Sequence, residues 1–460
     1  MYCEGGSQLC RLNLRTGSVT TLLDDPEGAF RDPHVYYNGN RILFSWRKRG
    51  AEYYHLYEIN SDGTGLKQIT IGPYDDIEGI CLPDGNIVFS STRCNPWVAC
   101  GTYRTSILYR CNGDGRVMYM RWEYVDRNQM RYQHLWTINP DETGVMVLDG
   151  NQFPNNVFID AKPIPNSDKI VYVDIPLHGM EDRRGTLMVL DPKYGPDERA
   201  AVKPIDLGQV VAQPGQSMDP YPVANDLFLF VNDRKILMTD GCGHTYPLYS
   251  LPEDSHPNLM IQEPRPIIPR KRENIIPARI DPGRATGRLA LMDVTFGRNM
   301  KGVKPGEVKK LLVLEQLPKP FNTNGGPEPT SMGGTFTLKR ILGTVPVEPD
   351  GSAYMELPAL RSLFFVALDE NDLSVKRMQS FVTLQPGEFT SCSGCHEKRT
   401  NTPRKPSNGL PMALRKPASP IVPIPDIPEV FDYPRDIQPI LNRYCIAGTA
   451  VQRKGWLWFL

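Results

Sequence analysis

A pair of strand-like segments recurs through residues 1–250 of this 460-residue chain, and its period limits what the chain can fold into. One member occurs at residues 56–60, 108–112, 135–139 and 187–191, and the other at 41–45, 86–90, 116–120 and 169–173. Segments rich in β-branched and aromatic residues and bounded by Asp-Gly or Asn-Gly turns predict paired strands. Several strands within a period of roughly 40–55 residues predict the blades of a WD-like β-propeller.

The spacing of the repeat is broken near residues 115/116. The first member starts at residues 56, 108, 135 and 187, so that its middle interval is about half of the other two. The second member starts at 41, 86, 116 and 169 and shortens at the same place. We interpret the break as an internal deletion of about 25 residues, or half a blade of this period. The propeller is therefore predicted to be incomplete.

Proline and glycine are too frequent here for a helical protein. The 43 prolines and 39 glycines would interrupt long helices, so we predict an all-β chain. Proline-rich stretches at 251–284 and 401–434 are predicted linkers. They separate the propeller at 1–250 from a small β-sandwich-like middle domain at 285–400, and that domain from residues 435–460. In this last part Ile437, Ile440, Leu441 and Tyr444 have the spacing of one face of a short amphipathic helix.

The strongest chemical motif is Cys392-Ser393-Gly394-Cys395-His396. C-x-x-C-H is the attachment motif of c-type haem. Two thiols at this spacing can each bond one haem vinyl group, and the next histidine can then bind the iron. We therefore predict a c-type haem loop with Cys392 and Cys395 as covalent anchors and His396 as the axial ligand. Half of a zinc site and a redox dithiol are the alternatives.

The remaining candidate ligands have weaker patterns. Cys242 and His244 form a second candidate metal or haem-facing pair, although coincidence within a loop explains them better. His55 and His134 occupy the same position in two repeat units, which favours a packing or hydrogen-bonding role over ligation.

An aspartate also recurs nine or ten residues before the second member of the repeat, as Asp32, Asp76 and Asp160. Asp side chains often accept hydrogen bonds from the backbone of a turn. We therefore predict a turn cap inside each blade, without a functional role.

Three segments resemble one protein family. They are residues 121–127, residues 345–354, and residues 384–388 running into the Cys392–His396 motif. Together they resemble planctomycete-type proteins similar to the hydrazine synthase alpha subunit, which pair a WD-like propeller with the hydrazine synthase alpha middle domain. The resemblance implies one haem c at Cys392, Cys395 and His396, and a second haem in a C-terminal cytochrome c-like domain. A shared fold does not by itself transfer a reaction.

Both ends of the chain depart from the family pattern. Residues 436–447 begin like the cytochrome c-like domain, but no second C-x-x-C-H follows, so we interpret 435–460 as its truncated start. The first residues lack the basic and apolar regions of a signal peptide. Because haem is attached covalently outside the cytoplasm, we expect the full-length parent to be periplasmic or secreted, with its signal peptide upstream.

Charge and hydropathy narrow the function further. The 52 basic and 52 acidic residues cancel, which argues against nucleic-acid binding, and the absence of an apolar run near 18 residues argues against a membrane span. We predict an exported c-type haem protein for electron transfer or haem-based redox chemistry on a small nitrogen or oxygen compound. Its expected partners are that substrate, an electron-transfer protein or the other subunits of a complex. The alternatives are a propeller scaffold without catalytic activity and a zinc-binding structural protein.

Overall fold

The computed structural model describes the chain as a series of β-sheets. It describes residues 6–94, 107–111, 117–122, 133–150, 157–175, 184–195, 198–211, 213–297, 299–317, 339–378, 381–395, 397, 409–428 and 431–446. These residues contain 27 strands in eight sheets and one four-residue α-helix. The prediction of an all-β chain is therefore confirmed.

Six sheets follow one another between residues 7 and 250, and each consists of consecutive antiparallel strands. Sheets one and two contain β1 (Ser7–Leu12) and β2 (Val19–Asp25), then β3 (Ala29–Val35), β4 (Arg41–Arg47), β5 (His55–Asn60) and β6 (Lys67–Gln68). Sheets three and four contain β7 (Asp76–Cys81), β8 (Ile87–Ser91) and β9 (Ile107–Cys111), then β10 (Val117–Trp122), β11 (Gln133–Ile138) and β12 (Met146–Asp149). Sheet five contains β13 (Phe158–Pro163), β14 (Ile170–Asp174), β15 (Thr186–Leu190) and β16 (Val202–Pro204). Sheet six contains β17 (Ser217–Ala224), β18 (Leu227–Asn232), β19 (Lys235–Thr239) and β20 (Thr245–Ser250).

The sheets pack face to face, as the blades of a propeller do. Successive side chains of a strand point to opposite faces, and both faces of β4 are covered. Ile42 and Phe44 pack in a cluster that includes Leu22 of sheet one, whereas Leu43 packs with Phe89 of sheet three. Burial on both faces explains why these strands are continuously apolar rather than alternating. The predicted propeller is confirmed.

The broken repeat coincides with two short sheets. In the described part of the chain, sheet three ends at β9 without a fourth strand. Sheet four begins at β10. In sheet two the second and third strands carry the two members of the repeat, at 41–45 and 56–60, and in sheet four these members overlap β10 and β11. The strand β10 therefore corresponds to the second strand of a complete sheet. The arrangement agrees with half a blade missing between β9 and β10. The deletion itself stays a prediction, since residues 112–116 lie outside the described residues.

The middle domain is a sandwich of two sheets. Its three-stranded sheet has the order β24-β21-β27 and its four-stranded sheet the order β23-β22-β25-β26. The strands are β21 (Thr286–Leu291), β22 (Lys310–Gln316), β23 (Lys339–Pro346), β24 (Ala353–Pro358), β25 (Leu363–Leu368), β26 (Ser374–Arg377) and β27 (Phe389–Cys392). One cluster of buried side chains from both sheets, including Leu289, Val313, Met355 and Leu363, forms the core. The prediction of a small sandwich is confirmed.

The two proline-rich stretches run along the domains that they connect. Ala413 of the second stretch is buried, and backbone bridges join Ser419 to Met355 and Val422 to Thr344. Helical turns follow at Tyr433–Ile437, α1 (Gln438–Leu441) and Asn442–Ile446, where the sequence predicts a helix. Short 3₁₀ turns occur at Thr92–Cys94, Pro192–Tyr194, Arg199–Ala201, Pro214–Gln216 and Met412–Arg415. Within the described residues we find no helix with the length and hydropathy of a membrane span.

Candidate functional site

The two cysteines of the motif lie at the end of an edge strand. Cys392 is the last residue of β27, which pairs in parallel with β21 so that Cys392 lies opposite Leu291. The Cys392 carbonyl accepts a hydrogen bond from the Met292 amide at 2.9 Å. The pairing partner of β27 lies about a hundred residues earlier in the chain, so no local pattern in the sequence indicates this strand. A rigid strand therefore holds the first thiol.

A second backbone contact fixes the other thiol. The amide of Cys395 donates to the carbonyl of Phe296 at 2.7 Å. The two chain segments cross so closely that a Cβ on Gly394 would overlap the Phe296 carbonyl, and a Cβ on Gly297 would overlap the Cys395 carbonyl. Glycine is the residue that permits such an approach of two backbones. The turn that contains Phe296 thus positions the motif.

The segment at 345–354 supports that turn. The Gly351 carbonyl accepts a hydrogen bond from the Val294 amide at 2.8 Å, and Asp293 Oδ1 accepts from the Thr295 amide at 2.8 Å. Gly351 has a φ of 82°, in the left-handed region that favours glycine. A continuous set of backbone contacts therefore runs from Gly351 through the Asp293–Gly297 turn to Cys395.

Both thiols are free and partly exposed, and they pack at the margin of the sandwich core. Burial, with the nearby Glu397 carboxylate, raises the pKa of Cys392 to about 12 and that of Cys395 to about 11. A redox dithiol has a lowered thiol pKa, so its electrostatics differ from those of this pair. Two free thiols three residues apart on one turn fit covalent attachment to a haem.

The structure describes both thiols of the motif but not the histidine that follows them. His396 lies outside the described residues, so its role stays a prediction. Within the part of the chain that the structure describes, no three His, Cys, Asp or Glu side chains converge on a point that would hold a metal ion.

Glu388, four residues before Cys392, joins the motif strand to the propeller. Its Oε1 accepts from the amide of Gly144, in the turn between β11 and β12, at 2.9 Å. Its Oε2 accepts from the Gln385 amide at 2.7 Å, and the residue is only 7% exposed. Trp136 of β11 also stacks on Phe381, with ring centroids 6.5 Å apart. Sheet four therefore contacts the segment that leads into the motif strand, and no local pattern in the sequence predicts this contact.

Cys242 and His244 lie in the exposed turn between β19 and β20, in the last sheet of the propeller and not in the middle domain. Asp240 organises that turn, since its Oδ1 accepts from the Cys242 amide at 2.8 Å and its Oδ2 pairs with His244 Nδ1 at 2.7 Å. These contacts are typical of a turn closed by an aspartate. The assignment of Cys242 and His244 as metal ligands stays a prediction without support from this geometry.

The histidines and aspartates that recur in the repeat contact neighbouring protein groups. His55 Nδ1 lies 3.7 Å from Asp76 Oδ2, while the side chain of His134 lies outside the described residues. Asp76 does not share the register of Asp32 and Asp160. The residue of β7 that matches Asp32 is Glu78, because both follow the same register shift and both have a positive φ. The prediction of equivalent turn caps was therefore wrong, because Asp32 and Asp160 lie at bulges inside strands, and Asp32 Oδ2 accepts from the Glu78 amide of the next sheet.

Comparison with known proteins agrees with this architecture. The family described as the hydrazine synthase alpha subunit middle domain matches residues 306–397, which include both thiols. The hydrazine synthase subunit alpha of Kuenenia stuttgartiensis is 31% identical over 80 residues. That alignment spans 17% of this chain and 9% of the length of the relative.

Solved structures extend the likeness to the whole fold. A structure of Kuenenia stuttgartiensis hydrazine synthase superposes with a TM-score of 0.75 at 18% identity, covering 96% of this chain and 77% of the other. Virginiamycin B lyase from Staphylococcus aureus resembles the chain only weakly, with a TM-score of 0.32 at 13% identity over 52% of this chain and 77% of the other. Residues 306–397 therefore match the hydrazine synthase alpha subunit middle domain, and the chain as a whole shares the fold of the hydrazine synthase structure.

Proposed function

We propose that this chain is an exported c-type haem protein that transfers electrons or performs redox chemistry on a small nitrogen or oxygen compound. Cys392 and Cys395 would be the covalent anchors of the haem, and His396 the axial ligand. The observation that carries the proposal is the pair of free thiols, held three residues apart on a turn inside the matched residues 306–397. Hydrazine synthase subunit alpha, the relative, is named as a subunit, so we also propose that this chain works within a complex.

The residues of the chain have definable tasks in such a site. The pairing of β27 with β21 fixes the backbone of Cys392, and the Phe296 carbonyl fixes that of Cys395. Because their pKa values are raised, both thiols keep their protons at neutral pH, which slows disulfide formation between them. A haem held there would supply one-electron chemistry and, with an open sixth position, a place for a small ligand.

Covalent attachment is tested by producing the protein together with a c-type maturation system and staining a denaturing gel for haem. We expect a stained band for the unchanged chain and for Cys10→Ser, an exposed cysteine outside the motif. The double variant Cys392→Ser/Cys395→Ser should lose the stain. An unstained band from folded protein would refute the proposal. Stoichiometric zinc in that protein would then favour the structural zinc site, and neither group would favour the scaffold.

An absorption spectrum of the matured protein with and without nitric oxide separates the two kinds of redox role. A spectral change would indicate an accessible sixth position and favour chemistry on a small compound. An unchanged spectrum would indicate a second strong ligand and favour electron transfer alone.

A further inference from the structure

Residues 261–273, predicted as part of a linker, contact both ends of the propeller. The Glu263 amide donates to Asp219 Oδ2 of sheet six at 2.9 Å. The Asp32 amide of sheet two donates in turn to Glu263 Oε2 at 2.6 Å. Glu263 is buried, with 9% of its surface exposed. One residue therefore joins the last sheet of the propeller to an early one, with its backbone amide on one side and its carboxylate on the other.

Glu263 has the same backbone conformation as a set of acidic residues in the first strands of the sheets. The members of this set are Asp32, Glu78, Asp160 and Asp219. Their φ values lie between 50° and 58°, against 49° for Glu263. The register of each of the four strands shifts at the acidic residue. A positive φ is uncommon for residues other than glycine, so this repetition marks equivalent positions. Extra residues of this kind form β-bulges, which bend the strand that carries them.

The hydrogen bonds between these residues run in one direction around the ring. Asp219 accepts from the amide of Glu263, Glu263 from that of Asp32, and Asp32 Oδ2 from that of Glu78 at 2.9 Å. Each carboxylate thus accepts from the bulge of the next sheet. Sheet one has only β1 and β2 in the described residues, and Glu263 lies where its bulged first strand would be.

The residues that follow Glu263 pack as part of the ring as well. Ile267 packs in the cluster that joins sheets one and two, with Leu22 and Phe44 among its members. The Arg270 amide donates to the Tyr37 carbonyl at 2.9 Å. The segment is therefore held by side chains and by backbone.

We propose that residues 261–273 occupy the first-strand position of sheet one, and that Glu263 is the latch that closes the propeller. A late segment of the chain would then hold the ring together before the chain enters the middle domain. This inference does not depend on haem binding.

Hydrogen exchange of the unchanged protein gives the first test. We expect the peptide covering 261–273 to be protected to a similar degree as β3 (Ala29–Val35), its neighbour in sheet two. Exchange of 261–273 at the rate of an unstructured linker would overturn the proposal, whether or not any variant folds.

Substitutions give the second test. Glu263→Ala should raise exchange in β1, β2 and β3 and speed tryptic cleavage after Lys271 at least tenfold, while the sandwich strands β21–β25 stay unchanged. Glu263→Gln keeps an oxygen acceptor and should have a smaller effect. Glu253→Ala, at an exposed position of the same stretch, is the control. Equal behaviour of Glu263→Ala and Glu253→Ala would overturn the proposal.

Discussion

The crossing of two backbones beside the thiols makes Gly297→Ala a sharp test of the site. An added Cβ would overlap the carbonyl oxygen of Cys395, which is a backbone atom and has no rotamer to change. Gly297 has no positive φ, so alanine suits its conformation and the steric overlap is the cause of any effect. The turn at Phe296 and the motif must therefore move apart.

The expected cost follows from two contributions. Overpacking of a tight contact costs about 1–3 kcal/mol. Separation also breaks the 2.7 Å hydrogen bond from the Cys395 amide to the Phe296 carbonyl, which contributes about 0.5–1.5 kcal/mol. Together we expect a loss of about 2–4 kcal/mol in the unfolding free energy of the middle domain.

Gly215→Ala is the matched control, because Gly215 has no positive φ and a Cβ there would meet no atom within 4 Å. Urea unfolding of the protein without haem gives the stability of each variant, and haem staining after maturation gives the yield of covalent attachment. We expect Gly297→Ala to lose both stability and stain, and Gly215→Ala to lose neither. Equal unfolding curves for the two variants would refute the close crossing of the two segments.

Three further predictions concern the ring and the contacts around the motif. Burial and the nearby Arg270 lower the pKa of His34 to about 3 from 6.5. Below pH 6.5 the unfolded chain therefore binds a proton that the folded chain does not, and stability falls by about 1.4 kcal/mol per pH unit. His34→Gln should remove this loss, as measured by urea unfolding at several pH values. Burial and the nearby Asp32 raise the pKa of Glu263 to about 7 from 4.5. Between these two values the folded chain binds the extra proton, so the unfolding free energy falls as the pH rises. Glu263→Gln should therefore remove a pH dependence of stability whose sign is opposite to that of His34. Glu388→Ala leaves two amides without an acceptor and should cost about 1–3 kcal/mol, with faster hydrogen exchange at 139–146; unchanged exchange there would contradict the contact.

The sequence predicts those parts of the fold that depend on local patterns. Strands β4, β8, β14 and β25 lie where alternating or continuous apolar segments indicate them, and the repeat period predicts the propeller. The spacing of Cys392 and Cys395 also identifies the motif without any structure. These features depend only on residues that lie close together in the sequence, so the sequence of a single chain is enough to predict them.

The parts that could not be predicted depend on contacts between distant residues. The parallel pairing of β27 with β21 and the crossing of Gly297 with Gly394 each join segments about a hundred residues apart. A short strand such as β27, with four residues, has too little pattern of its own to be recognised. The partner strand, and not the local sequence, determines that the first thiol is held by a sheet.

Three residues of the carboxylate ring share a local sequence feature, the proline that follows them. An acidic residue followed by proline occurs as Asp32-Pro33, Asp219-Pro220 and Glu263-Pro264. Within sheets proline is confined to edges, strand starts and bulges, because it cannot donate to a neighbouring strand. The dipeptide is therefore compatible with a bulged strand. It also occurs away from the bulges, as at Asp191-Pro192 and Asp281-Pro282, so the positive φ of Glu263 in the structure, and not the dipeptide, groups it with Asp32 and Asp219.

The sandwich and the propeller differ in how strictly their contacts restrict the sequence. The family match covers residues 306–397, whereas the propeller agrees with hydrazine synthase in fold at 18% identity over the whole superposition. Blade strands need apolar side chains of suitable volume on both faces, and many residues satisfy that need. The motif region needs glycine at a crossing, glycine at a φ of 82° in position 351, and a carboxylate at 388 that accepts two amides. Few substitutions meet those requirements, so we expect the sandwich to tolerate less change in sequence than the blades do.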